Sequence, residues 1–421
     1  MGAKVGWAPT FAAMVAVAAT TLVLGSAQAA ADQVSCGQTI TKDTTLDNDL
    51  IECPGDGIVI GADRITLDLN GHTITGRFDL RFCGYNYTTG ERKGECAHQD
   101  GIVNSGHDRV VIRNGEVSHF ETQLRLVGAN RNRLIDLQVH RYVPHAPPYG
   151  APSIGIHFSR SERNQVLRTT VDWGDPALLL SGSDRNTISD SSMSGHSTRD
   201  GGDGLHLVDG SDRNRIVHSR VHGLGHGFVI EDSRRNVLEK NAAHGAFAGS
   251  MLVRAMDNVI AGNTIPGGRG GDNVGLHESD GNLVRNNTVS RCLGRNAGIR
   301  LYQSDGNVVQ GNEVSLCSIN VLGSQNVVRA NNIRGASGEH FGGDGVRIEA
   351  GSASTLVEDN LAIEAYDDGI GIEAPDTLVK DNIANFNHDF GIEAVPGVND
   401  GGGNQAFGNG NPLQCLYVEC K

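Results

Sequence analysis

Aromatic residues are scarce in this sequence of 421 residues, at 5%, and only two of them are tryptophans, Trp7 and Trp173. A groove that binds sugars by stacking alone is lined with Trp and Tyr, so this scarcity disfavours a purely glycan-binding protein. Basic residues are also in deficit, with 35 Lys and Arg against 49 Asp and Glu. Because binding to phosphates requires a basic surface, we expect no nucleic-acid partner.

The sequence also lacks the cysteine spacing of a zinc site and the pattern of an amphipathic helix. No two of the eight cysteines have the CxxC spacing of a zinc site, and no stretch has a convincing amphipathic helix pattern. An exported chain uses cysteines for disulfides instead. Cys292 and Cys317 each follow a repeated asparagine by five residues, so they should pair on adjacent coils. Local pairing predicts three more bridges, Cys36–Cys53, Cys83–Cys96 and Cys415–Cys420.

The first thirty residues have the features of a signal peptide. An apolar run from Phe11 to Leu24 leads to small residues at Ala27 and Ala29, which form a cleavage-like site. No basic cluster follows the run, which disfavours a membrane anchor, and no cysteine ends it, which disfavours a lipoprotein. We therefore expect a signal peptide at 1–30 and a mature domain at 31–421 that is secreted, to the periplasm or outside the cell.

An asparagine followed by an apolar pair recurs at intervals of 22, 28, 22, 22, 24, 25 and 19 residues. Its positions are Asn164, Asn186, Asn214, Asn236, Asn258, Asn282, Asn307 and Asn326. Repeats of this length indicate a solenoid in which each repeat is one coil. Stacked asparagines would form a buried hydrogen-bond ladder, so their expected role is structural.

A second repeated pattern, Gly–apolar–any–apolar, begins at Gly57, Gly155, Gly204, Gly227, Gly298, Gly345 and Gly369. Its alternation predicts strands with one apolar face inside. The core residues should be Ile156, Phe158, Leu205, Leu207, Phe228, Ile230, Ile299, Leu301, Val346 and Ile348. The predicted fold is an all-β, single-stranded, right-handed parallel β-helix of about 11–12 coils, with disulfide-braced caps at both ends.

The segment "ITLDLNGHTITG" from Ile65 to Gly76 and the asparagine repeats resemble the pectate-lyase-like superfamily of β-helix proteins. The resemblance covers nearly the whole mature chain and points to the carbohydrate-binding and sugar-hydrolase branch. A periplasmic copper-maturation protein also belongs to that branch. The superfamily contains lyases, hydrolases, epimerases and non-enzymes, so activity must be argued from the site.

Four insertions, at 142–153, 194–203, 266–273 and 335–344, enter just before the Gly–apolar strand. Because they enter at the same phase of the repeat, they should project from the same side of the solenoid and form the walls of a groove. Such a groove suits an extended polymer. We expect the outward residues of these strands to form its floor and to bind substrate together with nearby aspartates. These candidates are His157, His206, His277, Arg300, Arg347, Asp272 and Asp344, with Leu179 and Val229 interrupting the column.

The sharpest local signal is "GDG" at Asp203 and "GHG" at His226, one coil apart. This spacing is similar to that of the polygalacturonases, which implies that Asp203 and His226 are catalytic, with Asp200 as a second carboxylate. An inverting hydrolase needs two such carboxyls. Uronate elimination is the alternative: His206 or His226 would be the base, and Arg199, Arg269 or Arg300 would neutralise the substrate carboxylate.

These observations predict a monomeric, secreted enzyme that cleaves glycosidic bonds of a polysaccharide, either as a hydrolase or as a uronate lyase. We expect no metal or cofactor, although a lyase could use Ca²⁺. Two alternatives remain open: a periplasmic copper-handling protein and a non-catalytic glycan-binding solenoid. For copper, His157, His206 and His277 lie two and three coils apart, which is too far for one ion.

Overall fold

A computed structural model describes residues 33–77, 84–86, 91–93, 99–140, 153–195, 202–223, 225–245, 248–267, 270–292, 296–337 and 343–421, and the isolated Gly2. The expected Cys83–Cys96 bridge and Asp200 lie outside these residues. The chain separates into two compact units, Met1–Ala30 and Ala31–Lys421. All the structure reported below belongs to the second unit.

The second unit is a parallel β-solenoid, and its described residues contain no helix. Sixteen strands, one from each coil, form what we call the first sheet. They are Gln38–Ile40, Ile58–Ile60, Asp100–Ser105, Thr122–Val127, Ile154–Ser159, Leu178–Ser181, Leu205–Val208, His226–Glu231, Ala248–Val253, Val274–His277, Ile299–Tyr302, Ile319–Leu322, Val346–Ile348, Ile370–Ile372, Ile392–Ala394 and Cys415–Leu416.

The other two sides of the coil are parallel ladders, joined by the long strands Val111–Ser118 and Arg133–His140, which belong to both. The second ladder contains Thr44–Thr45, Thr66–Asp68, Gln165–Leu167, Thr187–Ser189, Arg215–Val217, Val237–Glu239, Val259–Ala261, Leu283–Arg285, Val308–Gln310, Val327–Arg329, Leu356–Glu358, Leu378–Lys380 and Asn399–Gly402. The third contains Leu50–Cys53, Thr73–Gly76, Thr170–Gly174, Ser192–Gly195, Arg220–Gly223, Ala242–Gly245, Thr264–Pro266, Thr288–Ser290, Glu313–Ser315, Asn332–Arg334, Leu361–Ile363, Ile383–Asn385 and Gln405–Phe407. Gly84–Asn86 and Glu91–Lys93 form a separate antiparallel pair.

The predicted asparagine ladder is present and buried. The backbone N–H of each asparagine from Asn164 to Asn307 donates a 2.8 Å hydrogen bond to the side-chain oxygen of the asparagine one coil on. A second ladder of the same kind runs from Asn241 through Asn263 and Asn287 to Asn312 and beyond. Each ladder satisfies N–H groups that the bend would otherwise leave buried and unpaired.

The core forms along the axis from the inward residues of all three sides. All ten predicted core residues are at most 1% exposed. The pattern's glycine is required by the close approach of the next coil: a Cβ on Gly204 would lie 2.8 Å from the Gly227 carbonyl oxygen. The sixteen strands of the first sheet exceed the 11–12 coils expected.

Three of the four predicted disulfides are formed, namely Cys36–Cys53, Cys292–Cys317 and Cys415–Cys420. The Cα atoms of Cys292 and Cys317 are 5.3 Å apart, as expected for equivalent places on adjacent coils. Disulfides are consistent with an exported protein. Among the described residues, no helix is long and apolar enough to span a membrane.

Candidate functional site

The middle outward residue of each strand in the first sheet pairs with its equivalent on the next coil, so these residues form the predicted floor column. Strand register places His157 beside Leu179, then His206, then Val229. Further along, Arg300 pairs with Asn320, which pairs with Arg347. The structure therefore puts four of the five predicted floor residues in one column, with Leu179 and Val229 interrupting it as expected.

His277 was assigned to the wrong column. Strand Val274–His277 buries Val274 and Leu276, so Gly275 is the residue that pairs with Arg300, and His277 pairs with Tyr302 in the adjacent outward column. The glycine of this strand is thus not the glycine of the repeated pattern, and the alignment slipped by two residues. The imidazole still covers Gly275, because a Cβ there would lie 3.3 Å from His277 Nε2.

The structure brings together a group that we call the histidine cluster: Asp203, His206, His226 and Glu231. One oxygen of Asp203 lies 3.0 Å from His226 Nδ1 and also accepts the His226 backbone N–H at 3.0 Å. The other lies 3.6 Å from His206 Nδ1. The other ring nitrogen of His206, Nε2, lies 3.9 Å from Glu231 Oε2. Two imidazoles thus share one carboxylate.

The histidine cluster is only partly exposed to solvent, and the Nε2 atoms of His206 and His226 are buried. The side chains of Asp203, His206 and His226 are each about one-fifth exposed. Burial lowers the pKa of His206 below its ordinary 6.5, although the nearby Asp203 and Glu231 carboxylates oppose this shift. His206 is therefore a neutral imidazole at pH 7, which is the form that accepts a proton.

A second group, the arginine cluster, consists of Asp272, His277, Arg300 and Tyr302. Arg300 lies 4.0 Å from Asp272 and stacks over the Tyr302 ring, 5.2 Å from its centroid. Burial raises the pKa of Asp272 and lowers that of His277. Strand order places Gly275, beneath this cluster, three coils beyond His206, or about 14 Å along the axis.

A third group, the carboxylate cluster, consists of Asp344, Arg347, Asp367, Asp368, Glu373 and Glu393 and lines a pocket of about 180 Å³. Arg347 pairs with Glu373 and lies 3.7 Å from Asp344. Burial raises the pKa of Asp344 to about 7 and also raises the pKa of Asp368, beside Glu393. Asp344 sits above Gly371, where a Cβ would be 3.0 Å from its carboxyl carbon.

The aspartates that precede the first-sheet strands share a structural task. Asp203, Asp272, Asp344 and Asp368 each accept a hydrogen bond from a backbone N–H one coil on, at 2.7 to 3.3 Å. Asp56 does the same near the start of the solenoid. A carboxylate at this corner is therefore explained by the bend alone. What sets Asp203 apart is that its carboxylate also contacts two imidazoles.

The four insertions precede strands of the first sheet, which begin at Ile154, Leu205, Val274 and Val346. Their common phase is confirmed by these strand positions. Residues 142–152, 196–201, 268–269 and 338–342 of the insertions lie outside the described residues. Asp200, Arg199 and Arg269 are among them, so the roles predicted for these three residues stay predictions.

Sequence reasoning missed several site residues. Glu231, Tyr302, Asp368 and Glu373 are not among the predicted site residues. Glu231 and Tyr302 occupy the outward position two residues after the floor column, and a period-two extension of each strand would have found them. Asp367, Asp368 and Asp389 have carboxylate oxygens within 4.8 Å of one another, an arrangement that could hold a hard cation.

Family comparisons match two parts of the chain, each less than half of it. Residues 181–334 match the family described as periplasmic copper-binding protein (NosD), and residues 276–417 match the right handed beta helix region. This chain is a right-handed parallel β-helix protein. The comparison with curated proteins gives no match.

Solved structures of several β-helix proteins are similar to this right-handed β-helix. The Dettilon tailspike protein (gp208) has a TM-score of 0.45 at 14% identity, over 77% of this chain but only 57% of its own length. The periplasmic alginate epimerase AlgG has a TM-score of 0.43 at 12% identity, over 90% of this chain and 85% of that one. A GH87 alpha-1,3-glucanase in complex with nigerose has 0.38 at 11%, over 92% and 62%. Identities this low show the fold alone.

Proposed function

We propose that the protein is a secreted enzyme that cleaves glycosidic bonds of an extended polysaccharide, with its proton transfers at the histidine cluster. The observation that carries this proposal is the pairing of Asp203 with His226 at 3.0 Å, with His206 on the other carboxylate oxygen. These residues lie on the face whose strands follow the insertions. The backbone contact of Asp203 is shared with the other corner aspartates, whereas its contacts with two imidazoles distinguish it from them.

The geometry assigns a role to each residue. An imidazole that donates its Nδ1 proton to a carboxylate carries its basic lone pair on Nε2, and the carboxylate stabilises the imidazolium that forms on protonation. Asp203 thus orients His226 as a proton acceptor and donor. His206 is kept neutral by burial and is flanked by Asp203 and Glu231, so it can take the complementary proton.

Two reactions are compatible with this arrangement. Hydrolysis with inversion requires a second carboxyl about 6.5–9.5 Å from the first, for which Asp200 and Glu231 are the candidates. Elimination instead requires a base beside the sugar C5 and a cation at the carboxylate of the same sugar. Arg300 is on the same face but lies four coils beyond His206, about 19 Å along the axis, so that cation would be Ca²⁺ rather than this arginine. Both begin with a proton transfer near neutral pH, for which the cluster is suited.

The test is turnover by the purified full chain on polygalacturonate, alginate and neutral glucans. New reducing ends indicate cleavage, and an accompanying ultraviolet absorbance from an unsaturated uronate marks elimination. Asp203→Asn keeps an oxygen for the His226 N–H but removes the charge, and His226→Ala removes the imidazole, so each should abolish turnover without unfolding the protein. Asp56→Asn, at the same corner without imidazoles, is the matched control and should retain full turnover.

A periplasmic copper-handling function is the second candidate, because the copper-binding family matches residues 181–334, which contain the histidine cluster. His206 and His226 are ligand types that Cu²⁺ accepts. His157, His206 and Gly275, which His277 covers, are separated by two and three coils, so these three histidines do not form one site. Stoichiometric copper binding that His206→Ala and His226→Ala both remove, without turnover on any glycan, would favour this function over ours.

A further inference from the structure

Seven successive coils carry an arginine at the same corner, between the first sheet and the second ladder. They are Arg64, Arg109, Arg131, Arg163, Arg185, Arg213 and Arg235, and we call them the arginine ladder. The backbone N–H of each of the first six donates a 2.9–3.0 Å hydrogen bond to the residue preceding the next arginine. The side chains therefore repeat at the coil spacing, over about 29 Å.

The turn itself does not require arginine. All seven have a left-handed backbone, with φ between 56° and 60°, a conformation that favours glycine and asparagine. On later coils the same place holds Asp257, Gly281, Gly306 and Gln325. An equivalent left-handed corner after the second ladder has a mixed set, including Asp190, His218, Lys240 and Gly262. The run of seven arginines is therefore explained by the guanidinium side chain and not by the backbone conformation of the turn.

Most of the ladder arginines are not used by the fold. All seven are exposed. Arg185 pairs with Glu162 at 3.2 Å and Arg235 with Asp257 at 3.6 Å. Within the described part of the chain, Arg64, Arg109, Arg131, Arg163 and Arg213 make no ion pair. Five guanidinium groups on one line are therefore available to a ligand.

The acidic residues that precede several ladder arginines are occupied by the backbone. Asp63, Asp108, Asp184 and Asp212 each accept an N–H from the next coil at 2.8–3.1 Å. Their oxygens point along the rod, and Asp108, Asp184 and Asp212 are less exposed than the arginines beside them. The net charge of −14 disfavours polyanions at long range, but charges farther than about 8 Å are screened at physiological ionic strength. A ligand in contact with the arginine ladder is therefore affected mainly by the charges within that distance.

We propose that the arginine ladder is a binding surface for an extended anionic polysaccharide, one that carries a carboxylate on each sugar. A regular row of guanidinium groups, each able to bind a carboxylate through two N–H groups, matches a polymer with a regular row of carboxylates. Five of the seven arginines immediately precede a buried ladder asparagine or its equivalent, Asn132, Asn164, Asn186, Asn214 and Asn236, which fixes the spacing of their backbones. This surface lies outside the histidine cluster and deepens the proposed function by naming the class of its substrate.

The experiment compares two full-chain variants that remove equal charge. The ladder variant combines Arg109→Gln, Arg131→Gln, Arg163→Gln and Arg213→Gln. The control combines Arg220→Gln, Arg285→Gln, Arg291→Gln and Arg334→Gln, four exposed arginines off the ladder. Binding to polygalacturonate and alginate fragments, to a neutral glucan and to duplex DNA is measured by calorimetry at low and physiological salt.

We expect wild type and control to bind the polyuronates with affinity that falls as salt rises, and the ladder variant to bind at least about tenfold more weakly. Equal affinity of the ladder variant and wild type, equal affinity for the neutral glucan, or tighter binding of DNA would each overturn the proposal. The outcome is separable from the proposed function, because binding needs no turnover. If the ladder variant loses polymer affinity and no glycan is ever cleaved, only the cleavage proposal fails.

Discussion

The pH dependence of stability should be governed in large part by the buried aspartates of the carboxylate cluster. Asp344 and Asp368 are each at most 5% exposed, and each accepts a backbone N–H one coil on. Replacing both by asparagine keeps an oxygen for those N–H groups and removes the ionisable proton. The double variant Asp344→Asn with Asp368→Asn therefore isolates the cost of burying charge.

Burial raises the pKa of Asp344 from 3.8 to about 7, so between these two values the native state holds a proton that the unfolded state has lost. When the native state binds more protons, stability falls as pH rises. The loss begins near pH 4 and is complete above about pH 7. A rise from 3.8 to about 7 corresponds to about 4 kcal/mol for Asp344 alone, as an upper limit. The raised pKa of Asp368 acts in the same direction.

The assay is urea unfolding, followed by circular dichroism, from pH 5 to pH 8.5. Wild type should lose several kcal/mol of unfolding free energy across this range, while the double variant loses much less and is the more stable protein at pH 8. Asp305→Asn is the control, because Asp305 also accepts a backbone N–H but is exposed. Parallel pH profiles for wild type and the double variant would refute the reasoning.

Two further perturbations concern the coil itself. Asn258→Ala removes the acceptor of the Asn236 N–H and leaves a buried donor unpaired. We expect it to lower the free energy of unfolding, measured in urea, by about 1–3 kcal/mol. A loss near zero would show that the asparagine ladder does not stabilise the fold. Replacing both Cys292 and Cys317 by serine opens a cross-link between residues 25 apart and should cost about 3 kcal/mol, measured in the same way. Equal stability with and without the bridge would contradict this.

The fold was predictable because a solenoid repeats its constraints. Each coil needs its own buried asparagine and its own inward apolar pair, so one rule, applied eight times from Asn164 to Asn326, fixed the period and the core. The strand prediction was weaker where a coil fills the inward positions with residues other than glycine and an apolar pair. In two strands of the first sheet a polar residue interrupts the glycine–apolar pattern, Gln123 in Thr122–Val127 and Ser250 in Ala248–Val253.

The site was less predictable, because its chemistry depends on a register that varies by two residues. His277 shows this most clearly: the glycine of "VGLH" faces outward rather than inward, and the imidazole moved to the next column. Glu231 was missed for a related reason. It is the last residue of its strand, outside the four-residue pattern, yet its carboxylate lies 3.9 Å from His206. Side-chain contacts between coils therefore have to be read from the structure, whereas the coils themselves can be predicted from the sequence.

The corner aspartates show why a row of acidic residues on a solenoid is poor evidence for catalysis. Asp203, Asp272 and Asp344 all accept an N–H from the next coil, so each would be retained by a protein that catalyses nothing. What differs is the cation or imidazole beside each one. Arg300 and Arg347, which stay charged, lie beside Asp272 and Asp344, whereas Asp203 contacts two imidazoles, side chains that can both donate and accept a proton. Of the three corners, the histidine cluster is therefore the one to which we assign the proposed proton transfers.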